Sequence, residues 1–104
     1  MYFPMTLEEV RAEITRIDEE IICLIAERQS LAKKIATIKS EKGIPIHDNQ
    51  RKTDVLAYVM KLAKAHHIEP EPVKGIFETL IGMNEKAQRA SLEKPAQKKS
   101  AKKK

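Results

Sequence analysis

Cations and amides stand in this chain where a helical core should be apolar. From Leu7 a row recurs every seven residues through Leu7, Ile14, Ile21 and Ile35, and its fourth member is Arg28. A guanidinium stays charged, and burying it without a partner is costly. Two readings are open. Either Arg28 pairs with a carboxylate such as Glu27 of a second chain or reaches for the helix edge, or it faces an interior built for an anion. A later stretch repeats the problem: Val73, Phe77, Leu80 and Ile81 lead by steps of three and four to Asn84 and Gln88. There the helix either runs out of core, leaving both amides in water, or turns them inward.

Lys39 follows Arg28 by eleven residues, close to three helical turns, so the two project from nearly one face about 16 Å apart along the axis. Such a pair can grip the two ends of one small anion. Arg11 precedes Arg28 by seventeen residues, about 25 Å, too far to share that ligand within one helix. In an antiparallel dimer, Arg11 of one chain approaches Arg28 of the other. Arg51 opens a later helix and adds a further charge. Taken singly, Arg11, Lys39 and Arg51 read as solvated surface charges; as a set they describe an anion site. No Ser–His–Asp or Cys–His arrangement, Gly-rich phosphate loop or metal-ligand spacing accompanies them. His66 and His67 are adjacent, hence on different faces, and His47 sits beside a loop; all three read as ordinary.

Three helices must position these groups. Thr6-Leu7-Glu8-Glu9 has the form of a capping box. Apolar residues then alternate by three and four from Leu7 to Ile38, with no Gly or Pro before Gly43. The pattern predicts one helix from about Leu7 to Glu41, about 50 Å long. Asp48 or Asn49 caps a second, reaching about His66, and a third runs from about Glu71 to Ala90 after the break at Pro70 and Pro72. A domain of this size has a radius of gyration near 12 Å. A continuous seam about 50 Å long outruns one such globule, so the expectation is a homodimer pairing its long helices.

Composition bounds the rest. Aromatics make up 4% of the 104 residues and Leu, Ile, Ala, Glu, Lys and Arg dominate, which favours an all-α, single-domain fold. The net charge of +5 lies wholly in residues 93–104, six lysines and one glutamate, and the preceding 92 residues are neutral. The expected division is therefore a folded domain over 1–92 and a disordered Lys-rich tail over 93–104. Cys23 is the only cysteine, so an intrachain disulfide is excluded. No secretory signal or span-length apolar run appears. A cytoplasmic location is expected.

Arg11 in Val-Arg-Ala-Glu-Ile, Leu24-Ile25-Ala26-Glu27-Arg28, Lys39, Ile44-Pro45-Ile46-His47-Asp48-Asn49-Gln50-Arg51 and Gln88 occur in a particular order and spacing. In these motifs the chain resembles the all-helical, AroQ-type chorismate mutases over about Leu7 to Ala90. The resemblance implies a three-helix protomer entwined as a homodimer with two equivalent sites. It implies rearrangement of chorismate to prephenate, a [3,3] sigmatropic shift within one molecule of aromatic amino-acid biosynthesis, with no metal or cofactor. By similarity Arg28 holds one substrate carboxylate and Arg11 of the other protomer holds the second. Lys39 and Gln88 donate to the ether oxygen, where negative charge grows. Asp48 contacts the hydroxyl region through its backbone, Arg51 lies near a carboxylate, and Asn84 stands where the family often has a small polar residue.

The chain departs from the family in one place that bears on substrate. The position after Arg51 is glutamate in many members and accepts a bond from the ring hydroxyl; here it is Lys52, which cannot accept one. Another group substitutes, or substrate preference has moved toward isochorismate, as in the isochorismate-pyruvate lyases of the same fold. A reading of another class is a non-catalytic helical dimer whose lysine tail binds nucleic acid nonspecifically. Against it stand the neutral domain and the lack of an aromatic platform.

Overall fold

The computed structural model describes residues 4–93. The Lys-rich segment 93–104 lies, apart from Glu93, outside the described residues. Three helices follow one another: α1 (Leu7–Lys42), α2 (Asn49–Ala65) and α3 (Pro70–Glu93). No described residue is in a strand, and none of the described helices is long and apolar enough to cross a membrane.

Local chemistry sets each end. At the start of α1, Glu9 N donates to Thr6 Oγ1 (3.1 Å) and Thr6 N to Glu9 Oε1 (2.9 Å), so the capping box forms as expected. At its far end Gly43 adopts φ +69°. Gly43 N then donates to Ser40 O at 3.3 Å and Ile44 N to Lys39 O at 2.8 Å, a Schellman closure that stops the helix. Asp48 caps α2 by accepting from Arg51 N at 3.0 Å. The end of α2 repeats the Schellman pattern, His67 N to Lys64 O at 3.0 Å and Ile68 N to Ala63 O at 2.8 Å. Here the left-handed position belongs to His67, at φ +60°. Pro70 then occupies the first position of α3, where its missing N–H costs nothing.

Helix α3 is the hub, packing against both α1 and α2. The buried apolar residues are small or few: Ala32 and Ala36 from α1, and Leu56, Val59 and Ala63 from α2. Alanines at the α1 contact let the α3 backbone come close, and they add little apolar area. The molecule measures 60 × 40 × 19 Å. Its long dimension is that of α1, whose 36 residues span about 54 Å.

The seam of α1 is left bare in the single chain. Leu7, Val10, Ile14, Ile17, Ile21, Leu24, Leu31, Ile35 and Ile38 all remain between 40% and 62% exposed. A contiguous apolar stripe of this length is far more than a monomeric surface ordinarily carries.

Candidate active site

Four short segments converge on one cleft of about 460 Å³, a size suited to a small molecule. The C-terminal half of α1 sends in Arg28, Ala32, Ile35 and Lys39, at helical intervals of four, three and four. The end of α3 contributes Ile81, Asn84, Glu85 and Gln88. The connection and the first turns of α2 supply Ile46, Asp48, Arg51, Lys52 and Val55. Residues 28, 84 and 88 are thus brought together by the α1–α3 contact, and the Schellman stop at Gly43 turns the chain so that Asp48 and Arg51 face it.

Charge is unevenly distributed. The lining carries four cations, Arg28, Lys39, Arg51 and Lys52, against two carboxylates, Asp48 and Glu85. Asp48 Oδ1 is committed to the α2 cap. Arg28 is half-buried, donates to Asn84 Oδ1, and lies 5.9 Å from the Phe77 ring centroid. Among the described residues it has no carboxylate partner. Burial first, and the neighbouring Arg51 charge second, lower its pKa from the ordinary value. Both causes oppose the charged form, yet a guanidinium keeps its proton. The unfavourable energy therefore persists, and an incoming anion relieves it.

The two amides are fixed in different ways, Asn84 accepting from Arg28 and Gln88 donating. Asn84 and Gln88 are only 8% and 6% exposed, so the reading in which α3 runs out of core and its amides face water does not hold. Gln88 Nε2 donates to Ala32 O at 2.9 Å, which locks the amide while its second N–H remains to serve the cleft. Lys39 Nζ donates to Ile46 O at 3.0 Å, tying the connection to α1 with two ammonium protons to spare. Gln88 and Lys39 are preorganised donors around a cleft whose lining holds no Ser, Thr or Cys. The arrangement suits binding an anion and stabilising developing negative charge.

Seven of the residues singled out in the sequence, Arg28, Lys39, Asp48, Arg51, Lys52, Asn84 and Gln88, meet in this cleft. Arg11 does not: it is an exposed residue on the far half of α1. Sequence reasoning missed Phe77 beneath Arg28 and missed Glu85. Its spacing of four from Ile81 and three from Gln88 was the available signal for Glu85. His47, read as ordinary, bridges Glu85 Oε2 (3.0 Å) and Asn49 Oδ1 (3.2 Å) at the cleft's rim.

A family model described as chorismate mutase type II matches residues 10–89. The chorismate mutase of Methanocaldococcus jannaschii is 42% identical over 87 residues, 84% of this chain and 88% of that protein. The bifunctional chorismate mutase/prephenate dehydratase of Aquifex aeolicus is 47% identical over 58 residues, 56% of this chain and 16% of that protein. That of Escherichia coli (strain K12) is 31% identical over 84 residues, covering 81% of this chain and 22% of the longer protein.

Proposed function

The chain belongs to the chorismate mutase type II family and is an isomerase of that kind, and we propose that its cleft converts chorismate to prephenate by a [3,3] shift. The observation that carries this is Arg28: a half-buried guanidinium, next to a second cation and lacking a carboxylate of its own. Chorismate is a dianion with an enol ether and a ring hydroxyl. Arg28 takes one carboxylate bidentately, with Arg51 nearby. Lys39 and Gln88 donate to the ether oxygen as the C–O bond lengthens and charge collects there. Holding the carboxylate while donating to the ether favours the folded conformer in which the new C–C bond forms. No proton is transferred, consistent with a lining that offers donors and cations. The product serves phenylalanine and tyrosine synthesis.

The second carboxylate requires a further cation, and Arg11 is the candidate. On this reading two chains pair along the bare stripe of α1 as an entwined homodimer, and Arg11 of each completes the other's site. Pairing also covers nine large apolar residues now half-exposed, each worth about 1 kcal/mol or more on burial.

The direct test is chorismate consumption by the purified protein, with prephenate identified after acid conversion to phenylpyruvate. Isochorismate is assayed in parallel for salicylate and pyruvate. Prephenate at an enzymatic rate is the expected result. Salicylate alone would assign the same cations to a lyase, and absence of both products would remove the reading.

A further inference from the structure

Glu85 is the feature of the cleft that anion binding leaves unexplained. It is a carboxylate in the wall of a pocket meant for a dianion, and a bare carboxylate there repels the ligand. Asp48, the other acid of the lining, spends an oxygen on the α2 cap. Glu85 caps nothing, and among the described residues it makes no bond to a Lys or Arg. Its side chain is 25% exposed. Oε2 is held by His47 Nδ1 at 3.0 Å, while Oε1 has no partner among the described residues. His47 is itself anchored, its Nε2 lying 3.2 Å from Asn49 Oδ1 at the start of α2. One oxygen of a three-quarters-buried carboxylate is therefore fixed from the rim, and the other is free to accept.

We infer that Glu85 accepts the hydrogen bond of the substrate's ring hydroxyl, with His47 as its positioning residue. The inference rests on the mutase reading above and deepens it. Of the substrate's polar groups only the hydroxyl can donate; the carboxylates and the ether accept. An acid among cations is thus useful for that group alone. Lys52, also in the lining, is unable to take its place. The same carboxylate discriminates by charge. Against a dianion without a hydroxyl at that position it contributes repulsion with nothing to offset it, so it selects for where the hydroxyl lies on the ring.

The test compares kcat/KM for chorismate with that for an analogue lacking the ring hydroxyl, in the parent chain, Glu85→Ala, Glu85→Gln, His47→Ala and His47→Gln. The parent should prefer chorismate by roughly tenfold to a hundredfold, the scale of a hydrogen bond to a charged group. Glu85→Ala should abolish the preference from both sides, losing on chorismate and gaining on the analogue. Glu85→Gln, of the same shape and still able to accept, should keep part of it. His47→Ala should lower the preference without harming turnover of the analogue, and His47→Gln, which keeps an N–H, should restore it. An unchanged preference in Glu85→Ala and Glu85→Gln would overturn the assignment while leaving the mutase reading intact. If the parent chain converts neither compound, the mutase reading falls and takes this one with it.

Discussion

Along α1, residues Leu7 to Leu24 and residues Arg28 to Ile38 repeat the same three-and-four spacing, yet the structure treats them differently. The C-terminal half lies against α3, with Ala32 and Ala36 buried and Arg28 and Lys39 turned into the cleft. In the N-terminal half Leu7, Ile14, Ile21 and Leu24 stay 48–62% exposed, and no residue is buried. Within the C-terminal half the division is finer still. Small residues face α3, while Leu31, Ile35 and Ile38 remain about half exposed. The intrachain contact thus uses the small residues, where close approach matters, while Leu31 and Ile35 border the cleft and keep half their surface open. Spacing alone tells that a helix will be covered; side-chain size and polarity tell by what.

If the N-terminal half is an interface, charging it should have the largest effect. Ile14→Glu together with Ile21→Glu is expected to give a monomer in sedimentation and to cut activity by at least about 10³-fold, since packing and Arg11 are lost together. An active monomer would break the comparison. If the C-terminal half is the site, Arg28→Ala and Lys39→Ala should each lower kcat by about 10²-fold or more with helicity unchanged in circular dichroism. Mild effects at both would place the chemistry elsewhere. The two halves are joined by a mixing experiment. Arg11→Ala and Arg28→Ala chains, each nearly inactive alone, are refolded together; a heterodimer then has one intact site of its two. Random pairing should recover about a quarter of parental activity, and no recovery would show that Arg11 does not cross between chains. The smallest effect lies away from both halves. His67 holds a left-handed backbone at φ +60° that costs a side-chain-bearing residue about 1 kcal/mol. His67→Gly should raise the melting temperature by a few degrees with turnover unaltered, which separates stability from activity.

The helix ends were readable in the sequence because their chemistry is local: Thr6 with Glu9, Gly43, and Asp48 each act within four residues of themselves. The end of α3 was read short, at Ala90 rather than Glu93. Ala90, Ser91, Leu92 and Glu93 contain no stop, and the expected boundary followed the loss of the apolar stripe instead. In the site, Arg28, Asn84 and Gln88 were visible as polar members of apolar rows, a contradiction that spacing exposes. Glu85 stands in helical step with Ile81 and Gln88, but its tie to His47 spans 38 positions, a tertiary relation with no periodic trace. Arg28 over Phe77 is of the same sort, since nothing local couples a cation on α1 to a ring on α3.

The continuity of α1 makes it a torsion shaft as well as a rod. No Gly or Pro interrupts its 36 residues, so the azimuth of the seam at Ile14 and that of the guanidinium at Arg28 are mechanically locked. One residue inserted between Leu24 and Arg28 would swing the two ends out of phase by about 100°, whereas seven would restore the phase within about 20° and slide them apart by about 10 Å. Length changes in this segment are therefore quantised: single steps scramble which face meets what, and only insertions close to a whole number of turns, such as about seven or about eleven residues, leave the orientation nearly intact.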